Sequence, residues 1–210
     1  MTTIRDLSEP SLREAADIVR RGGLIAFPTE TFYGLGAHPF DARAVQRIFD
    51  LKGRARRDAP ILVLIRSRAD LERLAVEITP AAECLMEACW PGPLTLVFRA
   101  SEKVPPVLTA GTGTIGVRLS AHPDVRRLLE AVDGPLTGTS ANPSGRPPAT
   151  TAAEVERVLG DGVDAILNGG ATPGGLPSTV VDTTVMPPRL IREGRVPTAA
   201  VLSIINSMAA

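Results

Sequence analysis

Strand-length apolar runs alternate with amphipathic stretches along this chain, and that alternation most limits the folds open to it. Leu24–Phe27, Ile61–Ile65, Leu94–Phe98, Thr114–Leu119 and Pro135–Thr139 are each short and bounded by proline, glycine or polar clusters, which predicts strands. Between them, apolar residues recur at helical spacing in three sets: Leu12, Ala15, Ala16 and Val19; Val45, Ile48 and Phe49; Val125, Leu128 and Leu129. Ser11-Leu-Arg-Glu14 and Thr151-Ala-Ala-Glu154 fit capping boxes, the second opening a helix to Leu159. A helix from Asp41 ends near Lys52-Gly53, and others fall near Ala69–Leu74, from Thr79-Pro80 to Cys89, after His122-Pro123 and after Pro197. The last third is richer in strands, at Val163–Leu167, Thr179–Asp182 and Arg189–Arg192. The order predicts a single α/β domain built on a mixed sheet.

Charge and composition exclude several function classes. Lys and Arg total 23 and Asp and Glu total 23, so no global field draws nucleic acid or membrane, and any polyanion site must be local. Cys84 and Cys89 are the only cysteines and lack the spacing of a redox pair or a zinc knuckle, so they read as reduced core thiols. His38 and His122 are the only histidines and lie far apart, which argues against a histidine metal site; carboxylates could still hold magnesium with a phosphate substrate. MTTIRDLSEP carries charges and no apolar h-region, and the longest apolar run, Ile61–Ile65, cannot span a bilayer. A cytoplasmic protein is expected.

Two loops carry most of the polar chemistry. Lys52, Arg54, Arg56 and Arg57 crowd into KGRARR before a buried strand, where a loop can bind phosphate or can simply be a solvated basic run. No Walker A pattern occurs, and Gly34-Leu35-Gly36 lacks the third glycine of a dinucleotide fingerprint. Lys and Arg side chains would then have to hold any nucleotide. Gly138-Thr-Ser140-Ala-Asn142 resembles a nucleophile elbow, but Asn142 stands where the strained turn needs a small residue. Ser140 and Asn142 therefore read as polar ligands or as an Asx-type turn, and Ser140 is not a nucleophile. Arg118 interrupts an apolar strand, where a charge needs an internal or a substrate carboxylate. Ser178 and Arg192 add a hydroxyl and a cation at further strand ends. The set suits binding of anions and an amino acid.

The motifs PTETFYGLG, KGR, WPGPLT, GVR, SANPSG, STVVD and IREG occur in this order from about Ser11 to Arg195. In them the chain resembles the YrdC-like L-threonylcarbamoyladenylate synthases, in the short form without a second C-terminal domain. The resemblance implies one YrdC-like domain over 1–210, with a core of about 11–195 and a final helix of about 197–207. It implies an open twisted mixed sheet flanked by helices, with a concave basic groove. It also implies synthesis of threonylcarbamoyl-AMP and pyrophosphate from L-threonine, bicarbonate and ATP with magnesium. Partner transferase proteins then pass the threonylcarbamoyl group to N6 of adenosine at tRNA position 37.

By the same resemblance Lys52 and Arg54 are catalytic, and ATP is held by Lys52, Arg54, Thr114, Ser140, Asn142 and Arg192. Thr31, Arg118 and Ser178 match threonine-binding positions. No dedicated protein metal site is expected beside the ATP-bound magnesium. Glu30 is either a proton acceptor or a structural residue. In FPTETFYGLG, Tyr33 is expected in a pocket wall, Phe32 in the core, and Gly34 and Gly36 in a close turn. The alternatives are an RNA-binding module using the Lys52–Arg57 loop, with tRNA contact, or a carbamoyl-transfer domain.

Overall fold

The structure, a computed structural model, describes residues 2–53 and 60–207. In chain order the first elements are β1 (Thr3–Arg5), α1 (Glu9–Arg20), β2 (Ile25–Phe27), β3 (Gly34–Gly36), α2 (Ala42–Leu51) and β4 (Val63–Ile65). Next come α3 (Arg68–Leu74), α4 (Pro80–Cys89), β5 (Leu94–Arg99), β6 (Thr114–Leu119), α5 (Pro123–Val132), β7 (Leu136–Thr137) and β8 (Thr139–Ser140). The last are α6 (Ala152–Leu159), β9 (Ala165–Leu167), β10 (Thr179–Asp182), β11 (Arg189–Arg192) and α7 (Thr198–Ser207).

The strands form two mixed sheets where the sequence suggests one. One runs β1-β9-β2-β3-β8 and the other β11-β10-β5-β6-β4-β7. The expected strand over Pro135–Thr139 is what divides them. Leu136 and Thr137 pair with β4 of the second sheet, whereas Thr139 and Ser140 pair with β3 of the first. Gly138 is the crossing point, and a Cβ there would sit 2.8 Å from Leu64 Cγ, too close for the chain to pass. Thr137 then pins the sheets together. Its hydroxyl accepts from Ala37 N at 2.8 Å and donates to Leu35 O at 3.2 Å, while its N–H donates to Ala37 O at 3.0 Å.

Alternate strand residues serve two cores, as the period of two in a strand requires. Ile25, Phe27 and Leu64 face a core closed by Leu12, Ala15, Ala16 and Val19 of α1 and Val125, Leu128, Leu129 and Val132 of α5. Leu24, Ala26, Val63 and Ile65 point the other way, into the larger core with α2, α4 and α6. Gly34 and Gly36 lie in β3 rather than in a turn. Cβ atoms there would meet the Phe27 ring at 3.2 and 2.9 Å, so the bare backbone leaves room for that ring.

Local signals explain most helix starts. The Asp41 carboxylate accepts from Arg43 N and Ala44 N, and the Thr79 hydroxyl from Ala82 N. The box predicted at Ser11 is displaced: α1 opens at Glu9 after Ser8. Asp6 is the reason, because its carboxylate accepts from the Ser8 and Ser11 hydroxyls at 2.6 Å each. Those hydroxyls hold the Asp6 pKa down to about 2. Cys84 and Cys89 are free and half-buried on α4. Among the described residues no helix is long and apolar enough to cross a membrane.

Thr137→Val keeps the shape but takes the hydroxyl acceptor from the Ala37 N–H and one donor from Leu35 O. Urea unfolding is expected to show a loss of about 1–3 kcal/mol. An unchanged midpoint would mean that the join between the sheets does not depend on this hydroxyl.

Candidate active site

An open cleft of about 540 Å³ lies where the two sheets meet. Thr31, Phe32, Gly34, Thr139 and Ser140 line it from the first sheet, and Arg118, Ser178 and Arg192 from the second. Pro148, Gly175 and Pro177 come from the loops above.

The first wall is the connection from β2 to β3. Thr29 folds it: its hydroxyl donates to Phe32 O at 2.7 Å, accepts from Thr31 N at 3.2 Å and meets the Thr31 hydroxyl at 3.2 Å. Tyr33 lines the cleft as expected, fully buried in its wall, with its hydroxyl donating to Gly170 O at 2.8 Å and accepting from Gly169 N at 3.2 Å. Phe32, expected in the core, is instead a half-buried residue of the same wall. Gly174 N donates to Thr31 O at 2.7 Å, so the loop from Gly169 to Pro177 is fastened to this wall at two points.

Arg118 rises from β6 and is 4% exposed. Its Nη1 lies 2.8 Å from Glu30 Oε1. That contact is an ion pair rather than an aligned hydrogen bond, because both Oε1 and the Arg118 Nε remain without a hydrogen-bond partner. Burial pulls the Arg118 guanidinium below its ordinary pKa; the Glu30 carboxylate opposes this and the nearby Arg192 adds to it. Arg192 ends β11, and its Nη2 donates to Ser178 O at 2.9 Å. Burial lowers its pKa as well. The Ser178 hydroxyl rests on that of Thr95 at 2.8 Å. Sequence reasoning missed Thr95, although a threonine inside the apolar run Leu94–Phe98 is a legible signal.

Other predicted residues build the surroundings. Lys52 closes α2 and is buried, and its Nζ donates to Ser140 O at 2.5 Å and Asn142 O at 2.7 Å. Ser144 N returns a bond to Lys52 O at 2.8 Å, so this lysine braces the SANPSG loop. The Asn142 amide turns into its own loop, donating to Pro143 O and Arg146 O, with Oδ1 buried and without a hydrogen bond. Thr114 starts β6 and its hydroxyl meets that of Thr112 at 3.0 Å. At about 3.3 Å per residue it stands roughly 13 Å from Arg118 and is not part of the cleft lining. Arg54, Arg56 and Arg57 lie outside the described residues.

Tyr33 is the chain's one tyrosine, so phenolate absorbance reports on it alone. Burial raises its pKa more than the Gly169 N–H lowers it. The folded midpoint is expected above about 10, returning to the ordinary value in denaturant. A raised folded pKa means that its stabilisation is complete below about 10 and is lost as pH rises through the folded value. A folded midpoint at or below the denatured one would contradict the buried, bonded placement.

Comparison with known proteins follows the same residues. The family model for Sua5, YciO and YrdC proteins, described as telomere recombination, matches residues 17–194. A threonylcarbamoyl-AMP synthase of Pyrococcus abyssi is 44% identical over 202 residues, which is 96% of this chain and 59% of that protein. A putative threonylcarbamoyl-AMP synthase of Mycobacterium tuberculosis is 36% identical over 215 residues, spanning 100% of this chain and 98% of its own length. The crystal structure of P. abyssi Sua5 complexed with L-threonine superposes with a TM-score of 0.90 at 43% identity, covering 98% of this chain and 60% of that one.

Proposed function

The chain belongs to the Sua5–YciO–YrdC family, and on that premise we propose that it is an L-threonylcarbamoyladenylate synthase. It joins L-threonine, bicarbonate and ATP into threonylcarbamoyl-AMP, pyrophosphate and water. The observation that carries this reading is the convergence of Thr31, Arg118, Ser140, Ser178 and Arg192 on one cleft. A relative that is complexed with L-threonine has the same fold.

Arg118 lines the cleft and pairs with the α-carboxylate of threonine. Thr31 and Ser178 meet the ammonium and the side-chain hydroxyl. The amine adds to carbon dioxide formed from bicarbonate, giving a carbamate. A carbamate oxygen then attacks the α-phosphorus as the bond to pyrophosphate breaks. Negative charge builds on the phosphoryl oxygens and the leaving pyrophosphate. Arg192, Lys52 and Arg54 stabilise it by position and field, without a covalent intermediate. The bracing of Ser140 and Asn142 by Lys52 also shapes the loop that receives the nucleotide.

Among the described residues no cluster of ligating side chains could hold a metal ion. Magnesium would come bound to the ATP phosphates and would offset their charge. In the cytoplasm, the product would pass to a tRNA threonylcarbamoyl transferase.

Pyrophosphate release is expected to require ATP, L-threonine and bicarbonate together, with threonylcarbamoyl-AMP identified by mass spectrometry. Release indifferent to threonine would overturn the proposal. Lys52→Ala and Arg54→Ala are each expected to lower turnover by about 100-fold or more in folded protein. Near-normal rates in both would remove the KGRARR loop from the reaction.

A further inference from the structure

Among the described residues Glu30 is the one carboxylate paired with Arg118, and the geometry of its two oxygens assigns it a role. Oε1 lies against Arg118 Nη1 at 2.8 Å, and Oε2 accepts from the Ser120 hydroxyl at 2.9 Å. The same Ser120 oxygen accepts from His122 N at 3.2 Å, just ahead of α5. The carboxylate is thus held from both sides, by the end of β6 and by the start of α5. Glu30 is 16% exposed and stands behind the cleft wall, whereas Arg118 is among the lining residues. The cleft also holds Arg192, whose charge acts on Arg118, so the two arginines need a nearby anion to stay in place.

We propose that Glu30 is a positioning residue: it anchors the Arg118 guanidinium, so that the remaining donors of this cleft-lining arginine stay turned to an incoming amino-acid carboxylate. It is not the proton acceptor for the substrate amine. A proton acceptor needs an oxygen within reach of the amine, whereas Glu30 is not among the cleft-lining residues, with Oε1 against Arg118 and Oε2 accepting from Ser120. This inference rests on the threonine-binding reading of the cleft and adds a role that reading does not contain. Arg118 grips a carboxylate that makes and breaks no bond in the reaction. Its misplacement therefore weakens ground state and transition state alike, and the loss falls on KM.

The test is steady-state kinetics of Glu30→Gln, which keeps the side-chain shape and removes the charge, with calorimetric titration of L-threonine in the absence of ATP. The KM and the calorimetric Kd for L-threonine are expected to rise by about tenfold or more, with kcat changed by less than about threefold. The pH profile of kcat is expected to keep both limbs. Ser120→Ala, which leaves both charges but frees Oε2, is expected to raise the same KM by about threefold. It decides the matter if Glu30→Gln does not fold.

A large fall in kcat at unchanged KM, with one pH limb lost, would make Glu30 the proton acceptor and overturn the inference. Unchanged threonine affinity in a folded variant would overturn it too. If the unaltered protein binds no L-threonine, the threonine reading of the cleft fails. If it binds and the variant binds equally well, only the role of Glu30 falls.

Discussion

Two sheets share one stretch of chain, and everything in the cleft depends on how that stretch changes partners at Gly138. Thr137 belongs to one sheet and Thr139 to the other, with no room for a side chain between them. A continuous sheet would have carried Ser140 alongside β4, away from the Thr31 wall. The switch instead sets Ser140 beside Gly34 and leaves a gap into which Arg118, Ser178 and Arg192 project from the second sheet. The hydroxyl of Thr137 holds this seam by satisfying two backbone groups that belong to the far side.

The buried charges around the gap are all matched, each in a different way. Arg118 has a carboxylate and Lys52 two backbone carbonyls, while the more exposed Arg192 donates to the carbonyl of Ser178. Desolvating a cation costs several kcal/mol unless a partner offsets it, and removing one partner of a buried pair typically costs about 3–5 kcal/mol. Such pairs add little to stability compared with apolar packing. What they do here is hold cations in a poorly solvated place where an anionic ligand meets them at full strength.

The legible parts of the fold were the local ones. Asp41 and Thr79 mark helix starts because the capping group and the orphan N–H are neighbours in the chain, and Pro123 marks another because the first turn has no use for the N–H it lacks. β3 escaped notice because Gly34-Leu35-Gly36 has no strand propensity; it is a strand only because the Phe27 ring needs bare backbone opposite. The divided sheet was hidden for a similar reason, since Leu64 on another strand dictates it. In the cleft, Arg118 was legible as a charge in an apolar strand, and Thr31, Ser178 and Arg192 through the motifs that carry the family. The pairing of Arg118 with Glu30 was not, because nothing local to either residue names the other. Phe32 was expected in the core and stands in the cleft wall beside the more deeply buried Tyr33: adjacent side chains point to opposite sides of an extended chain, and sequence alone does not say which side is deeper.

The cleft is assembled from pieces that lie far apart in the chain. Thr31 is in place early, but Ser178 and Arg192 arrive only with β10 and β11, and β10 must dock parallel to β5 across a long intervening stretch. Such pairings come late, because closing the loop costs entropy before the contact returns anything. On a ribosome, the chain would therefore emerge with most of its apolar core able to collapse while its anion site is still unmade. Competence to bind would arrive in one step near the end of folding, when the edge strands join the sheet.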